Sequence, residues 1–159
     1  AMTGWRLGYL GAPEWIARAC TKIQGQVTSG ANAFGQKAAA DALLADMTPT
    51  DNMRAAFLER RDLVIRLLEG IAGFRVNHPA GAFYLFPDIS DYFGTRYRDE
   101  RIENADDFAM FILKQAHVAF VSGAAFGAPD CIRISYAASE AQLKEAISRI
   151  GNAVSLLEK

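Results

Sequence analysis

The chain has 159 residues, 51% hydrophobic and 22% charged, which is enough to bury one sizeable core and matches an ordinary globular composition. A formal net charge of -1 with intermixed signs gives no basic footprint for nucleic acid, and no apolar run approaches the ~20 residues that span a bilayer, so neither is expected as a partner. Cys20 and Cys131 lie far apart with no CxxC spacing or histidine company, which argues against a disulfide framework or a zinc site and, with no secretory leader in view, places the protein in the cytoplasm.

In chain order, residues 1–11 (Ala-Met-Thr-Gly-Trp-Arg-Leu-Gly-Tyr-Leu-Gly) read as a strand whose glycines at 4, 8 and 11 admit a close backbone or ligand. On such a strand Arg6 points away from Trp5 and Leu7, toward the face of Gly4 and Gly8, where it forms a candidate anion seat. Pro13 and Glu14 start a helix that runs to about Gln24. Residues 25–30 break it, and Thr28 and Ser29 precede a second helix over about 31–44, an anion-friendly placement of hydroxyls that ordinary capping explains equally well. Thr48, Pro49, Thr50 and Asp51 open a third helix reaching Gly70, with Phe57, Val64, Leu67, Leu68 and Ile71 at helical spacing. At 1.5 Å per residue it extends roughly 30 Å and is expected to bridge two lobes.

Residues 74–77 and 82–86 read as strands joined by the turn His78-Pro79-Ala80-Gly81, and residues 88–104 as a solvated loop with a charge-rich run at 96–101. Asn104 caps a helix with Asp106 and Asp107 in its first turn and a stripe of Phe108, Phe111, Ile112 and Ala116. Residues 118–137 then read as strand, glycine-bearing turn, strand. The period of two sends Ile132, Ile134 and Tyr136 to one face and Cys131, Arg133 and Ser135 to the other. An arginine between two small residues has room in front of its planar fork, which matches a carboxylate in two parallel charge-assisted hydrogen bonds, although an exposed edge-strand arginine reads the same way. Ser139 and Gln142 form a capping box for a terminal helix with Leu143, Ile147, Ile150, Val154 and Leu157 on one face. Lys22, Lys37, Lys114, Lys144 and Lys159 look like surface lysines, and His78 and His117 are isolated, so no catalytic or metal constellation is expected.

Residues 1–8, through Ala1, Met2, Gly4, Arg6, Leu7 and Gly8, resemble the segment that follows the cofactor-binding lysine in class I pyridoxal-phosphate aminotransferases, whose pattern is Ser-x-x-Lys-x-x-small-apolar-x-Gly-x-Arg-apolar-Gly. Gly123, Phe126, Gly127 and the run Arg133-Ile134-Ser135-Tyr136-Ala137 resemble that family's carboxylate-binding strand and its turn, and residues 79–84 resemble a strand entry of the same family. The likeness covers essentially the whole chain and is strongest to the prokaryotic aspartate branch. Ser122 departs from it, standing where most relatives carry proline.

The resemblance implies an α/β protein: the C-terminal portion of the pyridoxal-phosphate transferase fold, an α+β small lobe with a short, largely antiparallel sheet and flanking helices, preceded by a strand-helix piece of the large lobe. Residues 1–48 would belong to the cofactor-binding domain, 49–73 to the bridging helix and 74–159 to the small domain. It implies that Arg6 holds the phosphate of pyridoxal 5'-phosphate, that Thr28 and Ser29 lie near the cofactor phosphate of the neighbouring subunit, and that Arg133 holds the α-carboxylate of an amino acid or 2-oxo acid substrate. The catalytic lysine would lie three residues before Ala1, so the chain alone is expected to be inactive, and unpaired edges are expected to drive a homodimer or swapped oligomer in which residues 1–10 pair with another chain. A related lyase or synthase would share both arginines, and the ligand-sensing or assembly lobe of a regulator would need neither to be catalytic.

Overall fold

The computed structural model describes residues 2–159, and Ala1 lies outside the described residues. The chain forms two compact units, residues 2–52 and 53–159, with the division inside a helix.

Residues 2–52 contain no strand. Thr3–Trp5 form a 3-10 turn flanked by Met2 and Arg6, both at positive φ (41° and 56°), and the path to Pro13 is irregular. The strand expected over 1–11 is therefore not formed over its described part: a strand persists only by pairing, and no described residue offers it a ladder. Helix α1 (Glu14–Val27) runs straight through Gly25, so the break expected over 25–30 begins only after Val27. A single interior glycine costs about 1 kcal/mol against alanine, too little to stop a helix in progress. Helix α2 (Ala33–Leu44) is capped by Asn32, whose side chain accepts from the Gly35 N–H at 2.6 Å. Gly35 is also the one buried residue of this unit, close under the Asn32 side chain.

Helix α3 (Thr48–Glu69) starts where Asp46 accepts hydrogen bonds from both the N–H and the hydroxyl of Thr48, at 3.1 and 2.9 Å. Its C-terminal half supplies Val64, Ile65 and Leu68 to the core of the second unit. There β1 (Tyr84–Leu85), the hairpin β2 (Arg96–Tyr97) and β3 (Glu100–Arg101), α4 (Ala105–Ala116), β4 (Val121–Ser122), β5 (Ile132–Ser135) and α5 (Glu140–Val154) follow in order. The sheet is antiparallel throughout, in the order β1-β5-β4, with Tyr84 opposite Ser135 and Val121 opposite Arg133. Phe108, Phe111 and Ile112 of α4 and Leu143, Ile147 and Ile150 of α5 close over its buried face, which carries Leu85, Ile132, Ile134 and Tyr136. Both helices start as the sequence predicts: Asn104 accepts from the N–H groups of Asp106 and Asp107, and Ser139 with Gln142 completes a capping box.

Two expectations fail here. Residues 74–77 form no strand, only a single antiparallel bridge in which Arg75 and Asp88 exchange backbone bonds of 3.0 Å. Residues 88–104 are not a solvated loop: Ile89, Tyr92, Thr95 and Ile102 are buried, and Arg96 pairs its backbone with Glu158. The four inward side chains anchor the segment, and the charged run between them merely forms the exposed hairpin turn.

Candidate functional site

Strand β5 divides its side chains as its alternation requires, Ile132 and Ile134 inward and Arg133 outward. Because opposed residues of an antiparallel pair share a face, Tyr84 and Val121 stand on the same side as Arg133. The guanidinium carbon lies 4.5 Å from the Tyr84 ring centre and 4.6 Å from that of Phe126. No carboxylate pairs with it among the described residues. Among the described residues no protein acceptor claims its N–H groups, so this half-buried guanidinium has the chemistry to take a planar anion in its fork.

The turn between β4 and β5 puts Phe126 in place. The Gly123 N–H donates to the Cys131 carbonyl at 2.7 Å, and the Gly123 carbonyl accepts from Phe126 and Ala128. A Cβ at Gly123 would lie 2.1 Å from the Ala128 carbonyl oxygen and 2.6 Å from that of Cys131, so only glycine fits. Gly127 closes the turn at φ 75°. Ser122 replaces the ring constraint of proline with a hydrogen bond, its Oγ accepting from the Ala124 N–H at 3.3 Å. The Phe126 ring then meets Phe86 edge-on at 5.9 Å.

A second set of bonds fixes β1. The Tyr136 hydroxyl donates to the Ala82 carbonyl at 2.9 Å, holding a non-glycine residue at φ 63°, and Arg61 of α3 donates to the Pro79 carbonyl at 2.9 Å. Burial pushes the Tyr136 hydroxyl above its ordinary pKa, against the opposing charge of Arg61, so it stays a donor. Further back, Arg75 bridges Asp88 at 2.8 Å and Asp91 at 2.5 Å. Burial acts to raise the Asp88 carboxyl, but the Ser90 N–H and Arg75 outweigh it and hold the group below the usual carboxylate value.

Arg6, Thr28 and Ser29 belong to the other unit. Arg6 is exposed, with one long bond from Nη1 to the Thr3 carbonyl at 3.4 Å and no acidic partner among the described residues. Thr28 is the C-terminal cap of α1, and its hydroxyl accepts from Gln24 Nε2 and lies 3.5 Å from the Gln24 carbonyl. Ser29 is exposed at φ 64°. Arg6, Thr28 and Ser29 each have the donor chemistry for a phosphate. Of the lysines, Lys37, Lys114 and Lys144 pair with Asp41, Glu100 and Glu140 on exposed surfaces. Among the described residues no three His, Cys, Asp or Glu side chains gather as a metal site, and no helix is long and apolar enough to cross a membrane.

The roles of Tyr84 and Phe126 were not legible in the sequence. Both lie within segments that resemble the family's, but only the strand register and the Gly123 turn bring them to Arg133.

Comparison with known proteins addresses lineage. The family model for aminotransferase class I and II matches residues 1–150. The chain is 47% identical to an aspartate aminotransferase of Pinus pinaster over 99% of its length and 33% of that relative's. It is 42% identical to one of Rhizobium meliloti (strain 1021) over 96% of its length and 38% of the relative's. The crystal structure of the aspartate aminotransferase from Rhizobium meliloti superposes with a TM-score of 0.91 at 40% identity, over 99% of this chain and 40% of that one. An aromatic aminotransferase from Pyrococcus horikoshii OT3 gives 0.85 at 37% identity, over 97% of this chain and 40% of that one. The chain thus spans a third to two-fifths of the length of these relatives, and its fold is a portion of theirs. A match extending from residue 1 to residue 150 is not a shared motif but a shared lineage: the chain belongs to the class I and II aminotransferases.

Proposed function

We propose that these 159 residues are the C-terminal, carboxylate-seating part of an aspartate aminotransferase, which moves an amino group between aspartate or another amino acid and a 2-oxo acid. The observation that carries this reading is Arg133, ring-packed, fixed on β5 and without an acidic partner among the described residues. An α-carboxylate forked onto its edge has its position and direction set together, which is the positioning such a reaction needs. The rings of Tyr84 and Phe126 displace water from the guanidinium and strengthen its field at the carboxylate.

The family implies pyridoxal 5'-phosphate. Arg6, exposed and without an acidic partner among the described residues, would hold its phosphate end, and Thr28 and Ser29 would lie near the cofactor phosphate of the neighbouring subunit. When bound, the cofactor supplies the electron sink conjugated to the substrate Cα. The proton-moving amine is not among the lysines of the chain, each exposed on a helix or at the terminus, and the resemblance puts it three residues before Ala1.

In this reading residues 1–48 complete the cofactor-binding lobe, 49–73 bridge, and 74–159 form the small lobe of a cytoplasmic enzyme. Trp15, Ile23, Val27 and Leu44, all exposed, are the surface a second copy covers. Light scattering tests that assembly, and a monomer at all concentrations removes it.

The activity is tested in two proteins. The purified 159-residue chain is expected to show no turnover of aspartate with 2-oxoglutarate in the presence of cofactor, and turnover there overturns the division of labour. In the longer polypeptide that includes these residues, Arg133→Lys is expected to lower kcat/KM by roughly tenfold or more, because ammonium cannot reproduce the fork. An unchanged kcat/KM removes Arg133 from the substrate site.

A further inference from the structure

We infer that Tyr84 and Phe126 are positioning residues that grip the Arg133 guanidinium by its π-surface and leave its N–H edge as the only open approach, so that the site selects a planar carboxylate over a tetrahedral anion. The inference rests on the carboxylate-seat reading above. The two rings come from different elements, β1 and the β4–β5 turn, and each is held independently of Arg133. Tyr84 is fixed by its register opposite Ser135 and by the Phe83 ring at 4.5 Å. Phe126 is 51% exposed, so hydrophobic burial does not account for its position; the Gly123 turn and the Phe86 ring do.

The chemistry follows from the shape of the cation. A guanidinium is a flat ion whose faces are weakly hydrated and stack on aromatic rings, while its hydrogen-bond donors all lie in the plane. Rings on its surface restrict the side chain to few rotamers and turn the plane of donors outward. A carboxylate then binds with both oxygens in that plane, and the arginine loses little further freedom. A phosphonate can also set two oxygens in that plane, but its third oxygen and its methyl group then stand above and below it, toward the rings, where a planar carboxylate has no atom. The Phe126 ring carries no hydrogen-bond donor, so its effect is exerted wholly through Arg133.

The test uses the 159-residue chain labelled with 15N, pyruvate as the planar probe and methylphosphonate as the tetrahedral one, with the Arg133 Nε–H resonance as readout. Pyruvate is expected to shift that resonance saturably and more tightly than methylphosphonate. Phe126→Leu and Tyr84→Leu are each expected to weaken pyruvate about two- to fivefold, the range of a partly exposed cation–π contact, and to reduce the preference over methylphosphonate. Phe126→Tyr, which keeps the ring, is expected to retain wild-type affinity, and it carries the test if a leucine variant loses its folded backbone spectrum. Pyruvate affinity unchanged in both leucine variants, or lost in Phe126→Tyr, overturns the grip and leaves the carboxylate seat standing. No response of Arg133 to pyruvate in the wild-type chain overturns the seat, and the grip with it.

Discussion

Residues 2–52 and residues 53–159 are both rich in helix and in apolar side chains, yet they are held together by different means. The second unit buries Phe108, Phe111, Leu68 and Ile150 in one continuous core, whereas in the first Leu44 is 89% exposed, Trp15 is 74% exposed, and the single buried residue is a glycine. Each unit also presents an arginine without an acidic partner among the described residues. Arg133 is fixed on a paired strand with rings against it, and Arg6 projects from a 3-10 turn at positive φ. Packing that narrows a side chain's alternatives favours a directed binding group, and it is the rings beside Arg133 that support its proposed role.

The largest expected effect tests the difference in packing. Phe108→Ala should cost about 3–5 kcal/mol in denaturant unfolding, and Leu44→Ala should stay within about 0.5 kcal/mol; similar values for both would erase the distinction. Gly123→Ala should cost about 2 kcal/mol or more, since the new Cβ meets backbone carbonyls that cannot yield separately, and it should also weaken pyruvate binding by displacing Phe126. Arg133→Lys should weaken pyruvate by about tenfold or more while changing stability by less than about 0.5 kcal/mol, as measured by titration and melting of the same samples. Tyr136→Phe should cost about 1 kcal/mol by releasing the Ala82 carbonyl.

The smallest effect is one of pH. The Asp88 carboxyl is held below its ordinary value of 3.8, so the stability it contributes is present above that pH and is lost as pH falls through the lower folded value. Asp88→Asn should therefore flatten the acid side of a stability profile below about pH 4. An unchanged acid limb would show that the Arg75 cluster is not coupled to folding.

Much of the second unit was legible because its signals are periodic and local. The alternation at 132–136, the stripe of α4 and the caps at Asn104 and Ser139 each follow from side-chain geometry within a few residues. The failures involve partners distant in sequence. Residues 2–11 have strand-like composition but no described ladder to join, and residues 74–77 get only the one bridge to Asp88. Thr28 and Ser29 looked like entry caps for α2 because Gly25 looked like a stop, and once α1 continued to Val27 the capping role passed to Asn32. The contacts of Tyr84 and Phe126 with Arg133 were not legible because cross-strand register and turn closure, not spacing, create them.

The most direct test of the account is a backbone amide map of the whole 159-residue chain titrated with pyruvate. The account predicts perturbations confined to residues 84–86, 121–127 and 132–135, around Arg133. Perturbations centred on residues 3–8, around Arg6, or none at any concentration, would contradict it.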